Sequence, residues 1–226
     1  MRIQKYLSQK NILSRRKTEE YLIKGLIKVN GKVVTELGFQ IDPEKDEVEL
    51  DKSVEEVRSN YIYLAFNKPK GISTNCPQEN EREIIELLPP KYKHLNSIGR
   101  LDKDSEGLIL LTDDGIFAKS ILNAEYPHER EYEVWIDIEM TPKMQTKLEN
   151  GITLFDKKTL PTKIKQLGFR HFKIILREGK NRQIRRMLQK VGASVVNLKR
   201  IRFGSMELGN LRTGQFKEFN PKEQNF

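Results

Sequence analysis

The chain has 226 residues, with 41 Lys and Arg against 32 Asp and Glu and a net charge of +9 at pH 7. This length allows one large hydrophobic core, or a large domain and a small one. The single cysteine, Cys76, excludes a disulfide framework within the chain and a cysteine-based zinc site. No apolar run approaches the roughly 20 residues that span a bilayer, and no signal-peptide hydrophobic region is evident. We therefore expect a cytoplasmic protein.

The positive charge is segregated along the chain. Residues 1–32 carry a net charge of +7, residues 33–60 a net charge of −6, and residues 170–203 a net charge of +10. Such segregation is typical of surfaces that bind a polyanion, above all a nucleic acid. On composition alone, a generically basic protein is the alternative.

The first fifty residues predict two helices and a hairpin. Apolar residues at i, i+3 and i+4 predict an amphipathic helix over residues 2–9. Ser14 can cap a second helix, which Gly25 ends. The dipeptide Asn30-Gly31, between two short apolar runs, predicts a tight hairpin turn.

The second of these helices begins with three cations, Arg15, Arg16 and Lys17. Cations at a helix N-terminus oppose the helix macrodipole, so a functional need for positive charge is the simplest explanation. The stretch RIQKYLSQKNILSRRKTEEYLIKGLIKVNGKVV resembles the S4 RNA-binding domain in the order, spacing and turn chemistry of its elements. The resemblance implies a domain over residues 1–50 that binds structured RNA through its two-helix face. By this resemblance, the residues expected to contact RNA are Arg2, Lys5, Ser14, Arg15, Arg16 and Lys24. The alternative is that these residues form a basic face that contacts only water.

Residues 51–60 lack apolar periodicity and predict a linker. The rest of the chain, residues 61–226, mixes many strands with few helices and predicts an α+β domain around a mixed, mostly antiparallel sheet flanked by helices. Strands are predicted near residues 61–66, 108–111, 129–138, 159–166, 172–177 and 194–204, and helices near 81–90, 116–124, 142–150 and 181–192.

The stretch GRLDKDSEGLILLTDDG, residues 99–115, predicts a carboxylate presented in a cleft, because an Arg-Leu-Asp step at a turn precedes a buried apolar strand. Asp102 could be a helix cap or an ion-pair partner. It could join Asp104, Asp113 and Asp114 in a two-metal nuclease, although no His or Glu is spaced to help. It could also act as an ionised carboxylate in covalent or electrostatic catalysis, which needs a nearby arginine.

Candidate arginines lie in the predicted helix over residues 181–192. Arg182, Arg185 and Arg186 have i, i+3, i+4 spacing and share one helix face. Three clustered guanidinium groups repel one another unless they meet phosphate or carboxylate. This pattern favours a nucleic-acid groove that contains an acid. Lys68, at a strand-to-turn corner, could equally line a cleft or lie on the surface.

Four motifs occur in the order LAFNKPKGIST, GRLDKDSEGLILLTDDG, EREYEV and LREGKNRQIRRML, the last followed by VVNLKRIRFG. Together they resemble the ribosomal pseudouridine synthases of the RsuA type, and the resemblance covers nearly the whole chain. Arg130 stands where a lysine is common in that family, and the charge is kept. The resemblance implies that a chosen uridine of ribosomal RNA is isomerised: the N1–C1′ bond breaks, the uracil turns over, and C5 joins C1′. It implies neither a cofactor nor a metal.

The resemblance also implies residue roles. Asp102 would be the essential carboxylate at C1′, Tyr132 would stack on the uracil and help remove a proton from it, and Arg185 would pair with Asp102 and hold it ionised. Arg100 would enter the RNA stack that the flipped base leaves, and Leu101 would help line the pocket. RNA-backbone contacts are expected from Lys180, Arg182, Arg186, Lys199, Arg200 and Arg202. Core packing is the alternative for Tyr132, and a phosphate contact is the alternative for Arg185.

The expected partner is ribosomal RNA, with the large subunit favoured, or an assembling ribosomal subunit, and the expected state is a monomer. A base inside an RNA helix cannot be turned over, so flipping of the nucleotide is required. A non-catalytic RNA-binding factor for ribosome assembly is the main alternative. An RNA nuclease or N-glycosylase that uses Asp102 as its acid is a third possibility.

Overall fold

The computed structural model describes residues 1–54, 60–75, 77–79, 81–123 and 128–224. Cys76, residues 55–59 of the expected linker, and residue 124 of one expected helix lie outside the described residues. The chain divides into two compact units. Met1–Ile62 with Thr112–Ser120 form the first, and Tyr63–Leu111 with Ile121–Phe226 form the second. Within the described ranges, no helix has the length and apolar character needed to cross a membrane.

The first unit has the predicted two helices and hairpin. Its elements are α1 Ile3–Gln9, α2 Arg15–Ile23, β1 Ile27–Val29, β2 Lys32–Val33 and β3 Val48–Leu50. The strands form an antiparallel sheet in the order β2-β1-β3. Ser14 Oγ accepts a hydrogen bond from Lys17 N at 3.3 Å and caps α2 as predicted. Asn30 and Gly31 have φ values of 50° and 75°, as a type I′ hairpin turn requires.

Apolar side chains from α1, α2 and the small sheet form the core of this unit, including the fully buried Ile3, Leu22 and Ile27. Val54, from the segment expected to be a linker, is also fully buried in this core. Helix α3 (Gly115–Leu122) begins within the first unit, where its N-terminus packs closely against Ser14. A Cβ at Gly115 would lie 2.5 Å from Ser14 Cβ, so only glycine fits there.

The second unit is built on one large sheet. The remaining strands are β4 Tyr63–Lys68, β5 Asn96–Ile98, β6 Glu106–Thr112, β7 Arg130–Ile136, β8 Thr153–Leu154, β9 Lys157–Lys158, β10 Lys163–Gly168, β11 His171–Leu176, β12 Val195–Phe203, β13 Met206–Glu207 and β14 Phe216–Glu218. The main path runs β10-β11-β7-β12-β6-β4-β14, with β13 on β12 and β5 on β6. Strand β12 pairs with β6 in parallel and with β7 in antiparallel orientation. The mixed, mostly antiparallel sheet is therefore confirmed.

Two helices cover part of this sheet and form the core of the second unit with it. Helix α4 (Pro142–Glu149) and helix α5 (Gln183–Gln189) bury Leu148 and Met187 against Val134 and Phe172 of the sheet. Apolar stripes at helical spacing meet alternating apolar residues of the strands, as the amphipathic patterns predict. This packing fixes α5 beside the strands β7 and β11.

Two predicted elements differ in detail. The helix expected over residues 81–90 is a pair of 3₁₀ turns, Ile84–Leu87 and Pro90–Tyr92, because consecutive prolines cannot continue an α-helix. The strand expected from residue 159 begins only at Lys163. Residues before it satisfy the end of α4 instead: Thr162 N donates to Glu149 O at 3.0 Å.

Strands β6 and β12 approach each other unusually closely at Gly107, which lies opposite Arg200. Gly107 has a φ of +105°, and a Cβ there would lie 2.3 Å from Arg200 O. Gly192 has a similar φ of +86° but no atom within 4 Å of the corresponding Cβ position. Alanine substitutions at the two glycines therefore distinguish the energetic cost of backbone strain from the cost of a steric collision.

We expect Gly107→Ala to lower the free energy of unfolding by at least about 2 kcal/mol more than Gly192→Ala, or to prevent folding. Strain alone costs about 1–3 kcal/mol at either position, and only Gly107→Ala adds a backbone collision. Urea denaturation of both variants measures this difference. Equal destabilisation would show that the close approach of the two strands is not required.

Candidate active site

A pocket of about 420 Å³ lies in the second unit. This volume is within the range of roughly 300–1,000 Å³ typical of small-ligand sites. Its walls come from the loop after β5, the start of β7, the segment before α5, and β12. The pocket brings together seven of the residues predicted from sequence: Arg100, Leu101, Asp102, Tyr132, Lys180, Arg182 and Arg200. These residues are up to 100 positions apart in the chain, so only the tertiary fold unites them.

The loop that carries Asp102 is held in place by hydrogen bonds to its backbone groups. Thr74 Oγ1 donates to Leu101 O at 2.6 Å and accepts from Leu101 N at 3.0 Å. Ser105 N donates to Asp102 O at 3.0 Å, which closes the turn. Leu101 is buried, whereas the Asp102 side chain is about one-third exposed, at 32 %. The loop thus presents one carboxylate at the pocket wall on a fixed backbone.

The expected pairing of Asp102 with Arg185 is wrong in detail. Arg182 Nη1 lies 3.6 Å from Asp102 Oδ2, and Arg182 also makes two hydrogen bonds of 3.0 Å to the Asp104 carboxylate. Arg185 Nη2 donates to Asp104 O at 2.9 Å and lies 3.3 Å from Asp104 Oδ2. Asp104 therefore takes the place that was expected for Asp102, because the turn after Asp102 directs the second carboxylate toward α5.

Burial and the two arginines act in opposite directions on Asp104. Burial raises the pKa of the Asp104 carboxyl. The hydrogen bond from Arg182 and the charges of Arg185 and Arg182 together lower this pKa by more, so the net pKa is below the ordinary value. The pKa of Arg185 is lowered, mainly by burial. The pKa of Arg182 is raised, mainly by its hydrogen bond to Asp104. The two guanidinium groups therefore favour the ionised form of Asp104.

Tyr132 lies on β7, with Arg200 of β12 and Ile174 of β11 as its cross-strand neighbours. Its ring packs at the edge of the core and also lines the pocket. Packing and a role in the site are therefore compatible at this position. An aromatic ring that is fixed on one side and open to the pocket on the other can serve as a stacking platform.

Lys68 lies in neither of the two locations considered from sequence, since its side chain is fully buried. Lys68 Nζ donates to Pro69 O at 2.9 Å and to Ile72 O at 2.6 Å. Burial lowers the pKa of Lys68 to about 8, and the charges of Asp104 and Asp102 oppose this shift. A strand-to-turn lysine carries no sequence signal of such burial, so only the structure could identify it.

The basic residues expected to bind RNA occupy several environments. In the first unit, Arg2, Lys5, Arg15, Arg16 and Lys24 are exposed, whereas the Ser14 hydroxyl serves as the cap of α2. In the second unit, Lys180, Arg186 and Lys199 are half-buried and Arg182 is exposed.

Two of these basic residues do not present free charge at the surface. Arg202 is bound by Glu129 and Glu131, at 3.1 and 2.9 Å. Arg200 is only 2 % exposed, so the expected contact of its side chain with an exposed RNA backbone is wrong. Its position in β12 directs the side chain to the pocket wall, the same side as Leu198, rather than to the outer surface.

Comparisons with known proteins identify what the chain is similar to. The family model for RNA pseudouridylate synthase matches residues 62–190, and the model for the S4 domain matches residues 1–48. Ribosomal large subunit pseudouridine synthase B of Bacillus subtilis is 34% identical over 98% of this chain and 93% of its own length. The dual-specificity RNA pseudouridine synthase RluF of Escherichia coli strain K12 is 35% identical over 99% of this chain and 77% of its own length. A solved structure of a pseudouridylate synthase has a TM-score of 0.73 and 26% identity, and covers 100% of this chain and 98% of that one.

The depressed pKa of Lys68 gives a pH-dependent stability. Below about pH 8 this lysine is charged in both the folded and the unfolded state. Between about pH 8 and 10.5 the folded state has lost the proton while the unfolded state still holds it, so stability rises with pH. Relative to Lys68→Met, we expect the wild-type free energy of unfolding to rise by up to about 3 kcal/mol over this interval.

Urea denaturation of both proteins at several pH values measures this change. Lys70→Met is the matched control, because Lys70 is exposed and only two residues away. We expect no comparable pH-dependent difference between wild type and Lys70→Met. A difference in the free energy of unfolding between wild type and Lys68→Met that stays constant from pH 7.5 to 10.5 would contradict the lowered pKa of Lys68.

Proposed function

Since the chain belongs to the RNA pseudouridylate synthase family, we propose that it converts one uridine of ribosomal RNA, in the large subunit, to pseudouridine. The observation that carries this proposal is the single pocket that contains both Asp102 and Tyr132. The similarity to ribosomal large subunit pseudouridine synthase B of Bacillus subtilis supports ribosomal RNA of the large subunit as the substrate class. A protein that only binds RNA needs no carboxylate and stacking ring in one pocket, which weighs against an assembly factor without catalysis.

The proposed chemistry is an isomerisation within one nucleotide. The target base leaves the RNA stack and enters the pocket, where Tyr132 stacks on it. Asp102 meets C1′ of the ribose, either by bonding to it or by stabilising the positive charge that develops there. The N1–C1′ electron pair leaves with the base, the base turns over, and C5 bonds to C1′. The C5 proton is then lost and N1 gains one, so no oxidant or reductant is consumed.

Two arginines are assigned different parts in this site. Arg182 contacts Asp102 directly, with Nη1 3.6 Å from Oδ2. Arg185 acts through Asp104, whose carboxylate and backbone oxygen it contacts. We assign Arg185 to positioning of the turn that carries Asp102, rather than to contact with the reacting atoms. Arg100 is assigned to the vacated position in the RNA stack, since a planar guanidinium stacks well on bases.

The exposed cations of α1 and α2 in the first unit are assigned to the RNA backbone. Arg15 and Arg16 are both exposed on the first turn of α2. Their unfavourable position against the helix dipole is offset when RNA phosphates approach. The proposed state is a monomer. The proposed substrate is ribosomal RNA, free or in an assembling subunit, and the proposed location is the cytoplasm.

We expect Asp102→Asn to abolish pseudouridine formation while RNA binding is retained, because the amide can neither attack C1′ nor stabilise positive charge there. Carbodiimide-based mapping of total ribosomal RNA detects the product in cells with and without the protein. We expect one site to be lost on deletion and restored by wild type but not by Asp102→Asn. Asp156→Asn, at an exposed hairpin position, is the control and should restore the site. Restoration by Asp102→Asn would remove the carboxylate from the mechanism.

We expect the double variant Arg15→Gln/Arg16→Gln to bind ribosomal RNA more weakly and with a shallower salt dependence. Each lost phosphate contact reduces the slope of log K against log salt by about 0.7–0.9. The control, Lys143→Gln/Lys147→Gln, removes two exposed positive charges from α4, so the two double variants have the same net charge. Filter binding at several salt concentrations compares the two. The same slope for both variants would favour the generic attraction of a basic protein over a specific face.

A further inference from the structure

Arg200 has an incomplete set of hydrogen bonds in the pocket wall. Its Nε donates to Leu108 O at 2.7 Å, and its guanidinium carbon lies 5.2 Å from the centre of the Phe203 ring. The terminal nitrogen Nη2 is buried, yet it has no hydrogen-bond partner among the described residues. A buried N–H group without a partner is costly, so a guanidinium fixed in this way is suited to donate to a bound ligand.

The surroundings of Arg200 indicate where such a ligand would lie. Arg200 is the cross-strand neighbour of Tyr132, and both line the same pocket as Asp102. Arg130 also lines this pocket, and its guanidinium carbon lies 5.1 Å from the same Phe203 ring. One buried and one half-buried guanidinium group on one wall favour a ligand that carries or develops negative charge.

The reaction supplies such a ligand at one stage. When the N1–C1′ bond breaks, its electron pair leaves with the uracil, and the negative charge is shared with the carbonyl oxygens of the base. Asp102 is suited to the opposite charge at C1′. A guanidinium fixed in advance beside the base stabilises this charge without reorganisation during the reaction.

We propose that Arg200 donates a hydrogen bond from Nη2 to a carbonyl oxygen of the flipped uracil and stabilises the base as it leaves C1′. The inference rests on the proposed function and adds a substrate contact to it. Arg200 keeps its proton throughout, and the electron pair that leaves with the base later forms the C5–C1′ bond. A phosphate partner fits less well, because a flipped base enters the pocket while the phosphates stay with the RNA backbone outside.

The test measures single-turnover rates on an RNA labelled with tritium at C5 of the target uridine, since that hydrogen is lost in the reaction. We expect Arg200→Met to be about 100-fold slower than wild type, the usual effect of losing one donor to a developing oxyanion. Arg200→Lys keeps the charge and should be intermediate. Arg212→Met, at an exposed site outside the pocket lining, should match wild type. RNA affinity should be unchanged in all four proteins.

Substrates with 2-thiouridine or 4-thiouridine at the target distinguish a contact from a structural effect. Sulfur is a weak hydrogen-bond acceptor, so wild type should be slowed most on the substrate that lacks the contacted oxygen. Arg200→Met should not show this selective slowing. If Arg200→Met proves poorly folded by thermal denaturation, the same contrast between wild type and Arg200→Lys decides the question.

Three results would overturn the inference. The first is a rate for Arg200→Met within twofold of the wild-type rate. The second is that Arg200→Met loses rate by the same factor, relative to wild type, on the uridine, 2-thiouridine and 4-thiouridine substrates. The third is a loss of RNA affinity in Arg200→Met with an altered salt slope, which would indicate a phosphate contact. The proposed function fails separately, if the wild-type protein forms no pseudouridine in ribosomal RNA. A wild type that is active, together with an equally active Arg200→Met, rejects only the role of Arg200.

Discussion

The site depends on the parallel pairing of β6 with β12. These strands are separated by more than 80 residues of sequence, and their close contact needs Gly107, because any Cβ there would meet the backbone of Arg200. The pairing sets the turn that carries Asp102, which directly precedes β6, beside the strand that carries Arg200. The antiparallel pairing of β12 with β7 then adds Tyr132. Two strand contacts therefore place an acid, an aromatic ring and a guanidinium in one pocket.

The electrostatics of the pocket follow from burial as much as from charge number. Asp102 and Asp104 face Arg182 and Arg185, and the fully buried Lys68 adds a third cation whose charge interacts with both carboxylates. The interactions of the largely buried Arg185 and of the fully buried Lys68 are screened less by water than those of the more exposed Arg182. Arg200, the cross-strand neighbour of Tyr132, is held by a backbone carbonyl and the Phe203 ring. In the proposed reaction, Asp102 would meet the positive charge at C1′ and Arg200 would meet the negative charge on the leaving uracil.

Sequence patterns were sufficient to predict those features of the structure that depend on neighbouring residues in the chain. Ser14 as a helix cap and Asn30-Gly31 as a type I′ turn depend on the backbone preferences of a few neighbouring residues. The buried strand after Asp102 follows from its continuous apolar run. The partner of Asp102 could not be predicted in the same way. Arg182 was expected on one helix face with Arg185, but it precedes α5 in a left-handed conformation with a φ of 51°. Which carboxylate each arginine meets depends on the path of a turn some 80 residues earlier.

The sequence by itself determined the basic character of the chain, the two-helix and hairpin pattern of the first unit and the mixed sheet, because composition, periodicity and motif order are properties of the chain. Only the tertiary structure decided that Lys68 and Arg200 are buried and that Arg202 is neutralised by two glutamates. Burial depends on which distant strands pack over a side chain. A lysine or arginine in a strand has the same local pattern whether its charge faces water or the wall of a pocket.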